Sequence, residues 1–170
     1  GILREPISRL RDADIALVKG GRLKEADSAR FGALMLPVMG FEYAPTAFID
    51  LTDDATLSID EFKAAFNEKE AIAVCGIANP ESFVMTLKSI GVNVTARSFF
   101  PDHHDYTHEE IKPMLKTGAN VVITTEKDGV KLKRLAHLLN VPIFALMVEA
   151  IFKDSEALKD CIIPILKRKP

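Results

Sequence analysis

From residue 70 onward, four short β-prone apolar runs alternate with helical patterns, and this alternation restricts the chain to few folds. The runs are "EAIAVCG" (70–76), "VNVTARSFF" (92–100), "NVVITTE" (120–126) and "VPIFALM" (141–147). Between them lie "NPESFVMTLKSIG" (79–91), "HEEIKPMLKTG" (108–118) and "KDGVKLKRLAHLL" (127–139). Asn79 stands where a helix cap is expected, with Pro80 in the first turn and Gly91 beyond the end. Thr107 and Glu110 have capping-box spacing, Pro113 is expected to kink or shorten its helix, and Gly129 weakens the next one slightly. Strand, helix, strand at this spacing predicts right-handed βαβ units. Continuous rather than alternating apolar strands predict an α/β fold: a Rossmann-like, mostly parallel sheet with helices on both faces. A last helix, "SEALKDCIIPILKR", is expected to be interrupted by Pro164.

The first residues follow no such rhythm. "LREPISRLRDAD" reads as a polar helical piece and "ADIALVKGG" as a strand ending in a glycine pair. "YAPTAFIDL" (43–51) reads as extended, and "SIDEFKAAFNEK" (58–69) as a polar helix. No repeat or low-complexity tract occurs. A hydrophobic content of 48% with 27% charged residues argues against disorder, and a net charge of −2 gives no global reason to expect nucleic acid as a partner. The apolar run "VPIFALMV" is far shorter than the ~20 residues of a membrane-spanning helix. Cys75 and Cys161 fit neither a metal spacing nor a disulfide framework, and read as buried, inert thiols.

In open parallel sheets reactive groups collect at the carboxyl ends of strands. There the chain places "FFPDHHDYTHEE" (99–110), with three of its four histidines. His103, His104 and His108, with Asp102 and Asp105, are residue types that bind zinc, iron or manganese. Adjacent histidines in an extended segment point in opposite directions, however, and His108 falls in the following helix, so at most two converge easily. One histidine oriented by one carboxylate could instead serve as a general base near neutral pH. A purely structural loop is the third reading. Elsewhere, Arg4 and Glu5 precede Pro6 and could grip a phosphate or sugar hydroxyls, or form a surface ion pair. Lys127 and Asp128 open a helix, where Lys127 could meet an anion and Asp128 could cap. "CGIANP" could offer backbone N–H groups to phosphate or be a plain turn. No G-x-x-x-x-G-K-[ST] and no G-x-G-x-x-G is present.

Together, "LREPISRLRDADIALV", "CGIANPESFVMTLKSIG", "FFPDHHDYT" and "TTEKDGVKL", in this order, resemble the carboxyl-terminal half of the tetraacyldisaccharide 4'-kinase family. The resemblance implies an enzyme that moves the ATP γ-phosphate to the 4'-hydroxyl of a membrane-borne acylated glucosamine disaccharide, giving lipid IVA. In that family an amino-terminal P-loop domain binds ATP and Mg²⁺ and carries a catalytic aspartate. The resemblance therefore implies that residues 1–38 are the end of that domain, 39–69 a connector and 70–170 the carboxyl-terminal α/β domain. It also implies that this stretch alone is inactive. His103 would pair with the family's aspartate and help draw the hydroxyl proton, Asp102 would hold the loop, and His104 is the alternative to His103. Arg4 and Glu5 would lie near the disaccharide headgroup, while Lys127 and Asp128 gain no role. The implied location is the cytoplasmic face of the bacterial inner membrane. The residues also admit two other readings, a metal-dependent hydrolase built on the histidines and a noncatalytic interaction module.

Overall fold

The computed structural model describes residues 7–20, 32, 35–113 and 118–168. The chain divides into two compact units, Pro45–Glu149 and the pair of segments Gly1–Ala44 and Ala150–Pro170.

The strands are β1 (Ala16–Lys19), β2 (Val38–Asp50), β3 (Thr56–Ser58), β4 (Ala71–Cys75), β5 (Val94–Phe99), β6 (Val121–Thr125) and β7 (Ile143–Phe152). The α-helices are α1 (Ile59–Phe66), α2 (Pro80–Ser89), α3 (His108–Ile111), α4 (Glu126–Ala136) and α5 (Ser155–Arg168). In the larger unit the strands follow the order β2-β7-β6-β4-β5, with β3 paired to β2. β7, β6, β4 and β5 run parallel, and β3 is antiparallel to β2. The expected mostly parallel α/β sheet is thus present.

β4 and β6 hold the centre because both faces of each are apolar. Ala71, Ala73, Cys75, Val121 and Ile123 face Phe62 of α1 and Phe83, Val84 and Leu87 of α2. Ile72, Val74 and Val122 face Ile111 of α3 and Leu132, Leu135 and Ala136 of α4. Full burial of each large apolar side chain contributes ~1.5–3 kcal/mol, so covering both faces is the main support of the fold. Phe48, Phe62, Phe66 and Phe144 pack ring on ring, with Phe48 stacked 3.8 Å from Phe62.

The helix ends follow the local rules. Asn79 caps α2 by accepting the Ser82 N–H at 3.2 Å, and Gly91 beyond it has φ 86°. α3 opens on the Thr107–Glu110 capping box and runs only to Ile111, so Pro113 lies beyond a shortened helix. Two expectations need correction. α5 continues through Pro164, whose missing N–H would have met the carbonyl of exposed Asp160, which water can satisfy. Of the two cysteines only Cys75 is buried; Cys161 is half-buried.

In the smaller unit, a 3₁₀ helix (Ile7–Asp12) precedes β1, which pairs in parallel with the first residues of β2, from Ala16 opposite Val38 to Lys19 opposite Phe41. Phe41 packs against Tyr43 and Phe152.

The chain leaves β4 through α2 to β5, then returns through α3 to β6 on the other side of β4. α2 covers one face and α4 the other. The carboxyl ends of β4 and β6 therefore flank a topological switch point, the usual place for a crevice in such sheets.

Candidate active site

The histidine segment leaves the end of β5 as a tight turn. Phe100 extends the strand pairing by donating its N–H to Cys75 O at 2.9 Å, and His104 N–H closes the turn on Pro101 O at 3.1 Å. Asp102 and His103 occupy its two central positions, and His103 has φ 64°, in the left-handed region that glycine enters most easily. Asp102 Oδ1 accepts the His103 N–H at 3.1 Å.

α4 grips this turn along one face. Lys127 pairs with the Asp102 carboxylate. Lys131 Nζ donates to the carbonyls of His103 at 2.8 Å and His104 at 2.6 Å. Arg134 reaches the Asp105 carboxylate and, at 2.9 Å, the carbonyl of Tyr106. Positions 127, 131 and 134 repeat at i, i+4 and i+7, so helical geometry alone aligns them. The Lys127 hydrogen bond, more than its charge, holds the Asp102 carboxyl below the usual range.

The two adjacent histidines face different surroundings. His104 stacks on Phe100 with centroids 4.6 Å apart and meets the Tyr106 ring edge-on at 5.1 Å. Its Nε2 lies 3.1 Å from Glu110 Oε2. The same oxygen accepts the Thr107 N–H at 2.9 Å, and these bonds, backbone first, draw the Glu110 carboxyl down. The His103 side chain is instead 79% exposed, with Nε2 3.8 Å from Asp102 Oδ2, too long for a hydrogen bond. His108 begins α3. Among the described residues no group of three or more His, Cys, Asp or Glu side chains could hold a metal ion.

Beneath the turn lies a buried polar cluster at the switch point. Asp128 is only 1% exposed. Its Oδ2 accepts the Gly76 N–H at 2.9 Å and the Thr125 hydroxyl at 2.8 Å, tying the end of β4 to the end of β6. A Cβ on Gly76 would stand 2.8 Å from Pro101 O, 3.1 Å from the Tyr106 hydroxyl and 3.4 Å from Asp128 Oδ1. Only glycine lets the histidine turn approach β4 so closely. Burial, reinforced by the Asp128 charge, raises the Tyr106 hydroxyl and pushes the Cys75 thiol up to about 12. Both stay protonated near neutrality.

The capping reading of Asp128 is corrected here. α4 begins at Glu126, one residue earlier than expected, and Thr125 is its cap, accepting the Asp128 N–H at 3.2 Å. Asp128 shares the inward face with Leu132 and Leu135. Thr125-x-x-Asp128 is itself a capping-box spacing, so the signal was in the sequence. The structure brings Asp102, His103, His104, Lys127 and Asp128 to one end of the sheet; Arg4 and Glu5 lie outside the described residues. Sequence reasoning missed Tyr106, Lys131 and Arg134, of which the basic i, i+4, i+7 stripe was the most visible; in "CGIANP" the Gly76 N–H meets Asp128.

A mostly parallel sheet with histidine and charged side chains gathered at its carboxyl ends has the layout of the α/β domains that place their sites there. A sequence model of the Tetraacyldisaccharide-1-P 4'-kinase family matches residues 1–167, and the chain belongs to that family. Tetraacyldisaccharide 4'-kinase from Francisella tularensis subsp. tularensis is 32% identical over 80% of this chain and 40% of the relative. The enzyme of the same name from Halorhodospira halophila is 33% identical over 79% of this chain and 35% of its own length. Among solved structures, the ATP complex of apo-form LpxK from Aquifex aeolicus aligns with a TM-score of 0.60 and 26% identity, covering 96% of this chain and 46% of that one. The chain thus spans about 40% of the length of the curated relatives it matches. No helix among the described residues is long and apolar enough to cross a membrane.

Proposed function

We propose that this chain forms the part of a tetraacyldisaccharide 4'-kinase that receives the acceptor, and that His103 is its proton-accepting group. The supporting observation is the divergence of the histidine pair. His104 is committed to Glu110 and to two aromatic rings, whereas the His103 ring is exposed on a turn held by α4. A general base must be free to meet its substrate, and of the adjacent pair His103 is the one that is.

In the proposed reaction a ring nitrogen of His103 takes the proton of the disaccharide 4'-hydroxyl. The freed oxygen attacks the γ-phosphorus of ATP, the bond to the β-γ bridging oxygen breaks, and ADP leaves. Such transfers depend on positioning and electrostatics, so a fixed turn that aims one imidazole suits the role. Asp102 acts as the turn's anchor: it accepts the His103 N–H and pairs with Lys127.

The sequence has no phosphate-loop motif to cradle ATP. This proposal therefore assigns nucleotide and metal to the portion of the family's length that the chain does not span. Residues 1–38 then belong with that kinase domain, 39–69 connect, and 70–170 carry the histidine. Arg4 and Glu5 are proposed to contact the disaccharide headgroup, and the lipid substrate puts the full-length enzyme at the cytoplasmic face of the inner membrane. Residues 1–170 alone should not phosphorylate the disaccharide.

The test is His103→Ala in a full-length kinase carrying this sequence. A loss on the order of 10²-fold in kcat is expected, with a smaller loss for His104→Gln. An unchanged rate for His103→Ala, or the larger loss at His104, would overturn the assignment.

A further inference from the structure

We propose that the groove between α4 and the β2–β7 side of the sheet is a subsite for one acyl chain of the acceptor. The proposal rests on the reading of this chain as the acceptor-receiving part of a tetraacyldisaccharide 4'-kinase. It concerns how the acceptor is held, not the step at His103.

The groove lies wholly within the larger unit and has a volume of about 280 Å³. Its floor is Ile49 of β2, Leu51 just beyond it and Ala145 of β7, and Val130 of α4 forms its lip. Gly129 closes the inner edge: a Cβ there would stand 3.0 Å from Ala145 Cβ and 3.4 Å from Leu51 Cδ2. Val130 is 80% exposed, an apolar side chain left beside an apolar floor. The charged groups of the rim already have partners. Lys133 Nζ lies 2.6 Å from each carboxylate oxygen of Asp54, and Glu126 Oε2 accepts the Val148 N–H at 3.1 Å. No side chain of the floor or lip can donate or accept a hydrogen bond. A peptide or nucleotide laid here would give up water at its polar groups and gain no partner, whereas a hydrocarbon chain has no such groups to desolvate. The volume is just below the ~300 Å³ at which pockets for whole small molecules begin, so it suits one slender chain and not the disaccharide. Of the reactants in the proposed reaction, only the acceptor carries such chains.

The helix also links the groove to the histidine turn. Glu126, Val130 and Lys133 repeat at i, i+4 and i+7, as do Lys127, Lys131 and Arg134 one residue later. At 3.6 residues per turn the two stripes are about a quarter-turn apart on α4, one facing the turn and one facing the groove. From Glu126 to Lys133 the groove follows α4 for ~10 Å, and the way to it from the turn is shorter than one helix diameter of ~10–12 Å. An extended acyl chain on a sugar held at His103 covers that distance.

Val130→Glu sets a charge on the lip at an exposed helix position, where packing is undisturbed, and Val130→Leu keeps the lip apolar. For the 170-residue chain the probe is n-decyl maltoside below its micellar concentration, with maltose as the same disaccharide lacking a chain. Intermolecular NOEs from the alkyl chain to the Ile49 and Leu51 methyl groups are expected in the parent and in Val130→Leu. Maltose should give no shifts there, and Val130→Glu should bind decyl maltoside about tenfold more weakly. Absence of these NOEs, or equal binding by Val130→Glu, would overturn the subsite. Ile49 and Leu51 signals that move with protein concentration alone would assign the groove to a second copy of the chain and overturn it as well. In a full-length kinase carrying this sequence, Val130→Glu should raise KM for the acylated acceptor about tenfold, with kcat and KM for ATP within about twofold, as for lost uniform binding. An unchanged acceptor KM would sink the proposal. If His103→Ala left the rate unchanged, the assignment of the proton acceptor would fail, while the NOEs and the acceptor KM still decided the groove.

Discussion

The carboxyl end of the sheet contains two polar constructions a few residues apart, held by opposite means. The clasp of Gly76, Thr125 and Asp128 is buried and has few bonds: one carboxylate oxygen accepts a backbone N–H from β4's end and a hydroxyl from β6's end. The histidine turn above it is exposed and has many, with Asp102, Asp105 and three carbonyls tied to three basic side chains of α4. Inside, the low dielectric makes each bond strong and each missing partner costly. At the surface, water and salt weaken each tie, so the set fixes a shape while adding little stability. The clasp therefore carries the fold and the turn carries the geometry of the proposed chemistry.

The comparison breaks most sharply at Asp128. Asp128→Ala leaves the buried Gly76 N–H and the Thr125 hydroxyl without their acceptor, a loss of about 3 kcal/mol. Denaturant midpoints at constant m-value would measure it. Asp128→Asn keeps an acceptor of the same shape and should recover most of that loss. Among the described residues no cation hydrogen-bonds Asp128, so an asparagine variant more stable than the parent would mean that the charge itself is a burden. The clasp would then be retained for something other than stability.

Gly76→Ala comes next. The added methyl would meet Pro101 O at 2.8 Å, and a backbone carbonyl cannot step aside as a side-chain tip can. Either β4's end or the histidine turn must shift, at a cost of roughly 1–3 kcal/mol. This variant couples the two constructions, since it should lower both the midpoint and, in the full-length enzyme, kcat. A drop in stability with no change at His103 would show that the turn does not lean on β4.

Why some of this was legible and some was not follows from the range of each interaction. β4, β6, the α2 cap at Asn79 and the Thr107–Glu110 box depend on residues within about one turn of each other, so the local pattern contained them. Acidic residues favour helix starts, which suggests a cap at Asp128, yet its spacing to Leu132 and Leu135 puts it on the apolar face. Periodicity outranks the local preference once the helix packs on a sheet. Tyr106 carried no local signal, and Gly76 only that of a turn. They matter because the switch point brings residues 76, 106 and 128 together, a contact set by strand order. The split between His103 and His104 was half legible: adjacent side chains had to diverge, but which one met Glu110 depended on the turn that the His104 N–H closes on Pro101 O.

The smallest effect should come from the exposed turn, and pH gives it a sign. Asp102 and Glu110 both have carboxyl groups drawn below their ordinary values, Asp102 chiefly by the Lys127 hydrogen bond and Glu110 chiefly by the Thr107 N–H. A lowered native value means that these ties contribute fully above the unfolded carboxylate range, near pH ~4, and are lost as the pH falls through the native values. Raising the pH from neutrality should therefore leave them intact. Acidification should release the turn first, because its carboxylates face water and take up protons without unfolding the sheet. Hydrogen exchange would show this as lost protection at the His103 and Thr107 amides, which donate to Asp102 and Glu110, while the Gly76 amide follows global unfolding. Asp102→Asn should mimic that release at neutral pH, with a smaller midpoint shift than Gly76→Ala and one that shrinks further as salt screens Lys127 in the parent. Simultaneous loss of protection at His103 and Gly76 would show instead that turn and clasp open as one unit.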